Sequence, residues 1–211
     1  MILFNEIRRI SLVLLIVITS LCVQAQTHFK REKDRYGLFN QDSALTEFLF
    51  TEVSNFQEGL CWVNKGELYG YITEVGDSIT AFCYADVSDF YNGYAAVSRD
   101  TIHSKYGFID HNGSEICQLQ YSRVRFFEYG LAAVQKDSLW GMIDTLGREV
   151  IPCHYDHPPL AIRSTFIIAS KGGKWGVVNS FNQLVYPFKF DLITRDGIGY
   201  IANSKFYLGL L

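Results

Sequence analysis

The chain has 211 residues, with 22 acidic side chains against 19 lysines and arginines, and aromatic residues at 15% of positions. A formal charge of -3 excludes a nucleic-acid partner, because a phosphate backbone selects a basic face. The length fits a single repeat domain behind a leader.

Residues 1–25 read as a signal peptide. Arg8 and Arg9 form a basic start, Ile10 to Val23 carries no charge, and Val23-Gln24-Ala25 places small residues where a signal peptidase cuts. The apolar run is shorter than the roughly 20 residues of a membrane span. The expectation is an exported protein, periplasmic or extracellular at the cell envelope, with no stable membrane span after cleavage. Cys22 follows Leu21, where lipid attachment requires a small residue, so lipidation is not expected. Residues 26–35, charged at every position from Lys30 to Arg35, read as a solvated linker.

From Tyr36 onward an aromatic residue followed by glycine recurs as Tyr36-Gly37, Tyr69-Gly70, Tyr106-Gly107, Trp140-Gly141 and Trp175-Gly176, at steps of 33, 37, 34 and 35 residues. A fixed period in this range marks tandem units that bury their apolar faces on one another. Each unit reads as three short strands. Gly130-Leu131-Ala132-Ala133-Val134 exemplifies the first, Trp140-Gly141-Met142-Ile143-Asp144 the second, and Glu149-Val150-Ile151, ending near Tyr155, the third. From the glycines of the last four pairs to Tyr84, Tyr121, Tyr155 and Phe190 the distance is constant at 14 residues, so the intervening hairpin has a fixed register. Asp110 to Gly113 and Asp144 to Gly147 predict turns in which the aspartate caps the backbone and the glycine takes positive φ; Asn179 to Asn182 is their asparagine version. A glycine inside a strand predicts close approach of another group, a ring in particular, across its bare backbone. The aromatic anchors themselves, with Phe206 as a sixth, are expected to form a core ladder.

The units resemble the WG repeat family, on the strength of Lys174 to Asn179, Trp140 to Asp144 with Gly147 to Pro152, Tyr155-Asp156, and the strand Gly130 to Val134. The resemblance covers residues 36–211. It implies an all-β domain of about five tandem repeats, starting near 36, 69, 106, 140 and 175, with an interaction role and no known chemistry. The family is common in exported bacterial proteins. The expected architecture is an open curved array of short antiparallel strands, with a closed propeller-like ring as the alternative.

No residues announce a catalytic centre. No glycine-flanked serine elbow occurs, and Lys171-Gly172-Gly173-Lys174 reads as a two-residue hairpin turn, not a phosphate loop. Cys153-His154-Tyr155-Asp156-His157 is the densest set of ligand-capable side chains. It makes His154, Asp156 and His157, with Arg163 nearby, the centre of a weak metal-dependent or hydrolytic alternative. Alternation along a strand sends Cys153 and His154 to opposite faces, and Pro158-Pro159 hold His157 in a loop. The main reading is therefore a non-enzymatic binding or scaffold protein without cofactor or metal. Cys61, Cys83, Cys117 and Cys153 allow three disulfide connectivities, none selected by the sequence. Among aromatics outside the regular positions, Trp62, Tyr71, Tyr91, Tyr94, Tyr129 and Tyr200, the pair Tyr91 and Tyr129 precede first-strand glycines and are the expected contacts for a protein or glycan partner.

Overall fold

The computed structural model describes residues 27–100, 102–103, 105–162, 165–196, 199–202 and 206–208. The leader and Arg163 lie outside them. Among the described residues there is no helix, and the strands form six small antiparallel sheets. Each sheet is open, and none closes into a barrel.

The chain divides into two compact units, the first ending at Leu49 and the second starting at Phe50. In the first, β1 (Thr27–Glu32) pairs with β2 (Arg35–Asn40), which pairs with β3 (Ser43–Ala44). The segment expected as a linker thus supplies β1, the turn Lys33-Asp34 and the start of β2. Its cations lie over rings of the partner strand, Lys30 Nζ 4.6 Å from the Phe39 centroid and the Arg31 guanidinium 5.6 Å from that of Tyr36. Their stems cover apolar surface while their heads stay in water, so the three successive charges Lys30, Arg31 and Glu32 are compatible with a strand.

The second unit contains five sheets. They are β4 (Glu52–Val53), β5 (Leu60–Lys65) and β6 (Leu68–Thr73); β7 (Asp86–Val87), β8 (Tyr94–Ser98) and β9 (Tyr106–Asp110); β10 (Arg123–Val124), β11 (Leu131–Lys136), β12 (Leu139–Asp144) and β13 (Glu149–Tyr155); β14 (Leu160–Ile162), β15 (Phe166–Lys171), β16 (Lys174–Asn179) and β17 (Leu184–Phe190); and β18 (Ile193–Asp196), β19 (Gly199–Ala202) and β20 (Phe206–Leu208). Each of these sheets therefore begins with a short strand absent from the sequence reading, and, counted by sheet, the third repeat is β7–β9, the fourth β10–β13 and the fifth β14–β17. Two paired residues are too few to show alternation.

Register follows the fixed spacing. Tyr69 bridges Tyr84, Tyr106 bridges Tyr121, Trp140 pairs with Tyr155, and Trp175 pairs with Phe190. Gly113 and Gly147 have φ of 76° and 74°, and Asn182 has 58°. The Asp144 carboxylate accepts bonds from the Leu146 and Arg148 N–H groups, both at 3.0 Å. Gly172 and Gly173 both take positive φ in a two-residue hairpin that pairs Lys171 with Lys174.

The sheets of this unit pack through their faces. One core joins Phe108 and Ala96 of the third repeat to Ile143, Ala132 and Val134 of the fourth. Another joins Met142, Leu131 and Ala133 of the fourth to Ile167, Ala169 and Val178 of the fifth. Successive residues of β12 thus serve opposite cores. The bare strand glycines admit the expected close neighbours. A Cβ at Gly70 would meet the Phe82 ring at 3.0 Å, one at Gly176 the Phe188 ring at 2.8 Å, and one at Gly107 the Leu119 side chain at 2.6 Å; at Gly141 it would strike the backbone of residues 151–153.

The ladder itself needs correction. Trp140 is buried with 5% exposure, whereas Tyr36, Tyr69, Tyr106 and Trp175 are only half-buried. For Tyr69 and Tyr106 the reason is the hydroxyl, which donates to the Glu52 carboxylate at 2.8 Å and to Asp86, respectively. The regular aromatic core runs instead through the bridge partners Tyr84, Tyr121 and Tyr155, all buried.

Candidate functional site

β5, β8 and β11 are each entered through a tight turn whose two central residues both have positive φ: Glu58-Gly59, Asn92-Gly93 and Tyr129-Gly130. The flanking residues exchange both backbone bonds, as in Glu128 with Leu131 at 2.9 and 3.0 Å. This is the geometry that asparagine-glycine favours. Side chains at the first central position reach forward along the array. Glu58 accepts from Gly93 N–H at 2.9 Å, and Asn92 Nδ2 donates to the Phe127 carbonyl at 2.8 Å, each 35 residues on. These contacts hold consecutive hairpins side by side.

Tyr91 and Tyr129 therefore arrive at the same place. They line one open cleft of about 430 Å³ with Asn92, Tyr94, Phe127, Glu128, Gly130 and the turn residue Thr145. Tyr91 is 49% exposed and Tyr129 47%. Phe126, which the sequence reading missed, is 54% exposed and lies 5.5 Å from Tyr91, ring centroid to centroid. Only the hairpin geometry shows that Phe126 turns outward while Phe127 is buried. Tyr129 sits at φ 51°, in the left-handed region that suits Asn92 and strains an aromatic residue. The other irregular aromatics are structural: Tyr71 is fully buried and donates to the Ser88 carbonyl at 2.7 Å, Trp62 meets Tyr69 edge-on at 5.5 Å, and Tyr94 packs on Phe127 at 4.4 Å. The side chain of Tyr200 lies outside the described residues.

Two further clefts border the same segment. One of about 470 Å³ runs between the fourth and fifth repeats past Arg125, Phe126, Glu128, Met142, Pro159 and Trp175. The other, of about 340 Å³, is lined by Tyr106, Arg123, Val124, Arg125 and Trp140.

The ligand-capable set of the fourth repeat diverges. Cys153 Sγ faces the Val134 carbonyl at 3.7 Å, and the His154 ring packs against Tyr155 at 4.3 Å. Asp156 accepts from Gly173 N–H at 2.8 Å, and His157 Nδ1 lies 2.8 Å from Ser170 Oγ with its ring stacked 5.4 Å from Trp175. Each side chain has a separate local use, and among the described residues no group of three or more His, Cys, Asp or Glu side chains is arranged to hold a metal. Partial burial and the nearby Lys171 charge lower the His154 pKa, which favours its neutral form.

Cys61, Cys83, Cys117 and Cys153 are free thiols in the structure. Burial, followed by the charge of Asp89, pushes the Cys61 thiol up to about 12; burial also raises Cys117 and takes Cys153 to about 11. Such thiols stay protonated at neutral pH and are poor nucleophiles.

The model of the WG containing repeat family matches residues 45–69, 69–100, 106–140, 140–157 and 175–200, more than half of the chain. The chain belongs to the WG repeat family. Among curated proteins no sequence match is found. Solved structures similar to this WG-repeat chain include Kluyveromyces lactis Hsv2, at 10% identity and a TM-score of 0.41, with 76% of this chain and 59% of that one covered. A second structure of Kluyveromyces lactis Hsv2p gives 13% identity and a TM-score of 0.41, with 75% and 60% covered. The chain thus spans about three-fifths of the length of these structures. Among the described residues no helix is long and apolar enough to cross a membrane.

Proposed function

We propose that this WG-repeat protein is an exported, non-enzymatic binding module of the cell envelope that holds a protein or glycan partner at the hairpins of its third and fourth repeats. The observation that carries this reading is the cleft shared by Tyr91 and Tyr129, two half-exposed tyrosines flanked by the hydrogen-bonding side chains of Asn92, Glu128 and Thr145. Tyrosine offers rigid contact area with a polar tip, suited to stacking on sugar rings and to protein interfaces. Export is supported by Arg8, Arg9 and the uncharged run that ends at Val23.

The test compares the mature protein with a Tyr91→Ala/Tyr129→Ala variant on a glycan array and in pull-downs from envelope fractions. A partner retained by the wild type and lost by a variant of unchanged urea midpoint supports the site. Equal retention by both proteins removes the cleft from consideration.

A further inference from the structure

The residue after Thr51, Ala85, Ser122 and Asp156, whose N–H groups donate to the Asn64, Ser98, Gln135 and Ser170 carbonyls, follows a rule. In the units preceding Tyr69 and Tyr106 the corresponding first-strand positions are Glu52 and Asp86, whose carboxylates accept the anchor hydroxyls. Before Trp175 the position is His157, which stacks on the indole. Before Trp140 it is Arg123. The indole of Trp140 presents no hydroxyl to an acid and is buried at 5% exposure. Repeat architecture thus explains Glu52, Asp86 and His157 but gives the Arg123 charge no structural use.

Arg125 lies two residues on, and its N–H donates to the Ala133 carbonyl at 2.8 Å, which keeps the segment in the ladder beyond β10. Residues i and i+2 of an extended segment share a face, with Cβ atoms roughly 7 Å apart. Val124 points the other way, into the core between the third and fourth repeats. Arg123 and Arg125 are both exposed, and among the described residues neither has an ion-pair partner. Arg99 and Arg148, by contrast, are paired with Glu115 and Asp144, both at 2.6 Å. Two uncompensated guanidiniums therefore border one cleft in a protein of net negative charge. Their planar forks match the oxygens of a carboxylate or sulfate in two-point hydrogen bonds.

We propose that Arg123 and Arg125 form an oxyanion subsite for an acidic polysaccharide, a chain of sugar rings bearing carboxylate or sulfate groups. The proposal rests on the binding-module reading and specifies its ligand. Arg125 also borders the cleft containing Phe126 and Glu128, and Glu128 borders the Tyr91/Tyr129 cleft. Three clefts with aromatic walls and polar groups thus follow one another along residues 123–130, which suits successive rings of a polymer. An acidic peptide is less well served. β10 is an edge strand of only two paired residues, too short to template an added strand.

Immobilised polyuronate, a sulfated glycan, a neutral glucan and polyglutamate are the probes, tested against the mature wild type, Arg123→Gln/Arg125→Gln and a charge-matched Lys65→Gln/Lys171→Gln control. The wild type should bind one or both acidic glycans in a salt-sensitive manner. The arginine variant should lose roughly tenfold or more in affinity while the lysine control does not. Binding of polyuronate alone assigns a carboxylate ligand, and binding of the sulfated glycan alone assigns a sulfate ligand. No binding of either acidic glycan, equal loss in the lysine control, or equal binding of polyglutamate would overturn the subsite. If a neutral glycan or envelope protein were then retained through Tyr91 and Tyr129, the subsite would fail and the binding module would stand.

Discussion

Trp140 and Tyr129 show what single residues contribute at opposite ends of the burial range. Trp140 fills a core position at 5% exposure, so Trp140→Ala should cost about 3–5 kcal/mol in a urea melt; a loss under about 1 kcal/mol would contradict its placement. Tyr129 is half-exposed and held at φ 51°, so Tyr129→Asn should stabilise the fold by about 0.5–1 kcal/mol while weakening ligand retention. Opposite signs for stability and binding are the signature of strain kept for function, and a destabilised variant would count against it. Titration supplies a third residue-scale prediction. Burial, then the Asp89 charge, lifts the Cys61 thiol from 9.0 to about 12, and burial, with smaller contributions from Glu115 and Cys117, lifts Tyr84 and Tyr121 to about 12. Above pH 9.0 the unfolded chain releases protons that the folded chain retains, so stability should fall as pH rises through this window. Urea midpoints that stay constant from neutrality up to pH 12 would refute these assignments.

At the scale of elements, turn glycines with similar φ have different neighbours. Gly147, at φ 74°, lies against the Ile116 carbonyl of the preceding repeat, where an added Cβ would collide with backbone. Gly130, at φ 78°, has nothing within 4 Å of that position. Gly130→Ala should therefore cost only the left-handed conformation, about 1–2 kcal/mol, whereas Gly147→Ala should cost more because it also pushes two repeats apart. Equal losses in parallel urea melts would show that the inter-repeat contact carries no weight. The turns at Asp144 and Asn179 were legible in the sequence because their chemistry is local: a short polar side chain caps its own backbone. The first strand of each repeat was not legible, because Glu52-Val53, Asp86-Val87 and Arg123-Val124 are held by long-range pairing with the next strand. The strand at Thr27–Glu32 was hidden for another reason. Its charges lie over Tyr36 and Phe39 in the partner strand, a relation that composition does not show.

Across the whole molecule, the period in the sequence announces stacked units, and β12 shows how the stacking is encoded. Leu131, Ala133, Trp140 and Met142 face the fifth repeat, while Ala132, Val134 and Ile143 face the third. Both faces of the central sheet are buried, so the strands read as continuous apolar runs, and the sequence alone does not say which residue serves which neighbour. The candidate site was legible only in part for a related reason. Tyr91 and Tyr129 stand out as irregular aromatics, but Arg123 gains meaning only when the repeats are superimposed in space and Glu52, Asp86 and His157 prove to be engaged with their anchors, and Phe126 only through its contact with Tyr91. The two-faced arrangement yields a directional prediction. Met142→Ala and Ile143→Ala should each cost about 2–5 kcal/mol, since both side chains are buried. Their effects on hydrogen exchange should differ in location. Loss of Ile143 removes contacts with Phe108 and Ala96, so exchange should rise mainly in β8 and β9; loss of Met142 loosens the packing with Ile167 and Val178, so exchange should rise mainly in β15 and β16. In an array of nearest-neighbour interfaces each substitution weakens one interface and spares the other. Identical exchange patterns for the two variants would mean that the repeats unfold as a single unit, and the stacked description would have to be replaced by one continuous core.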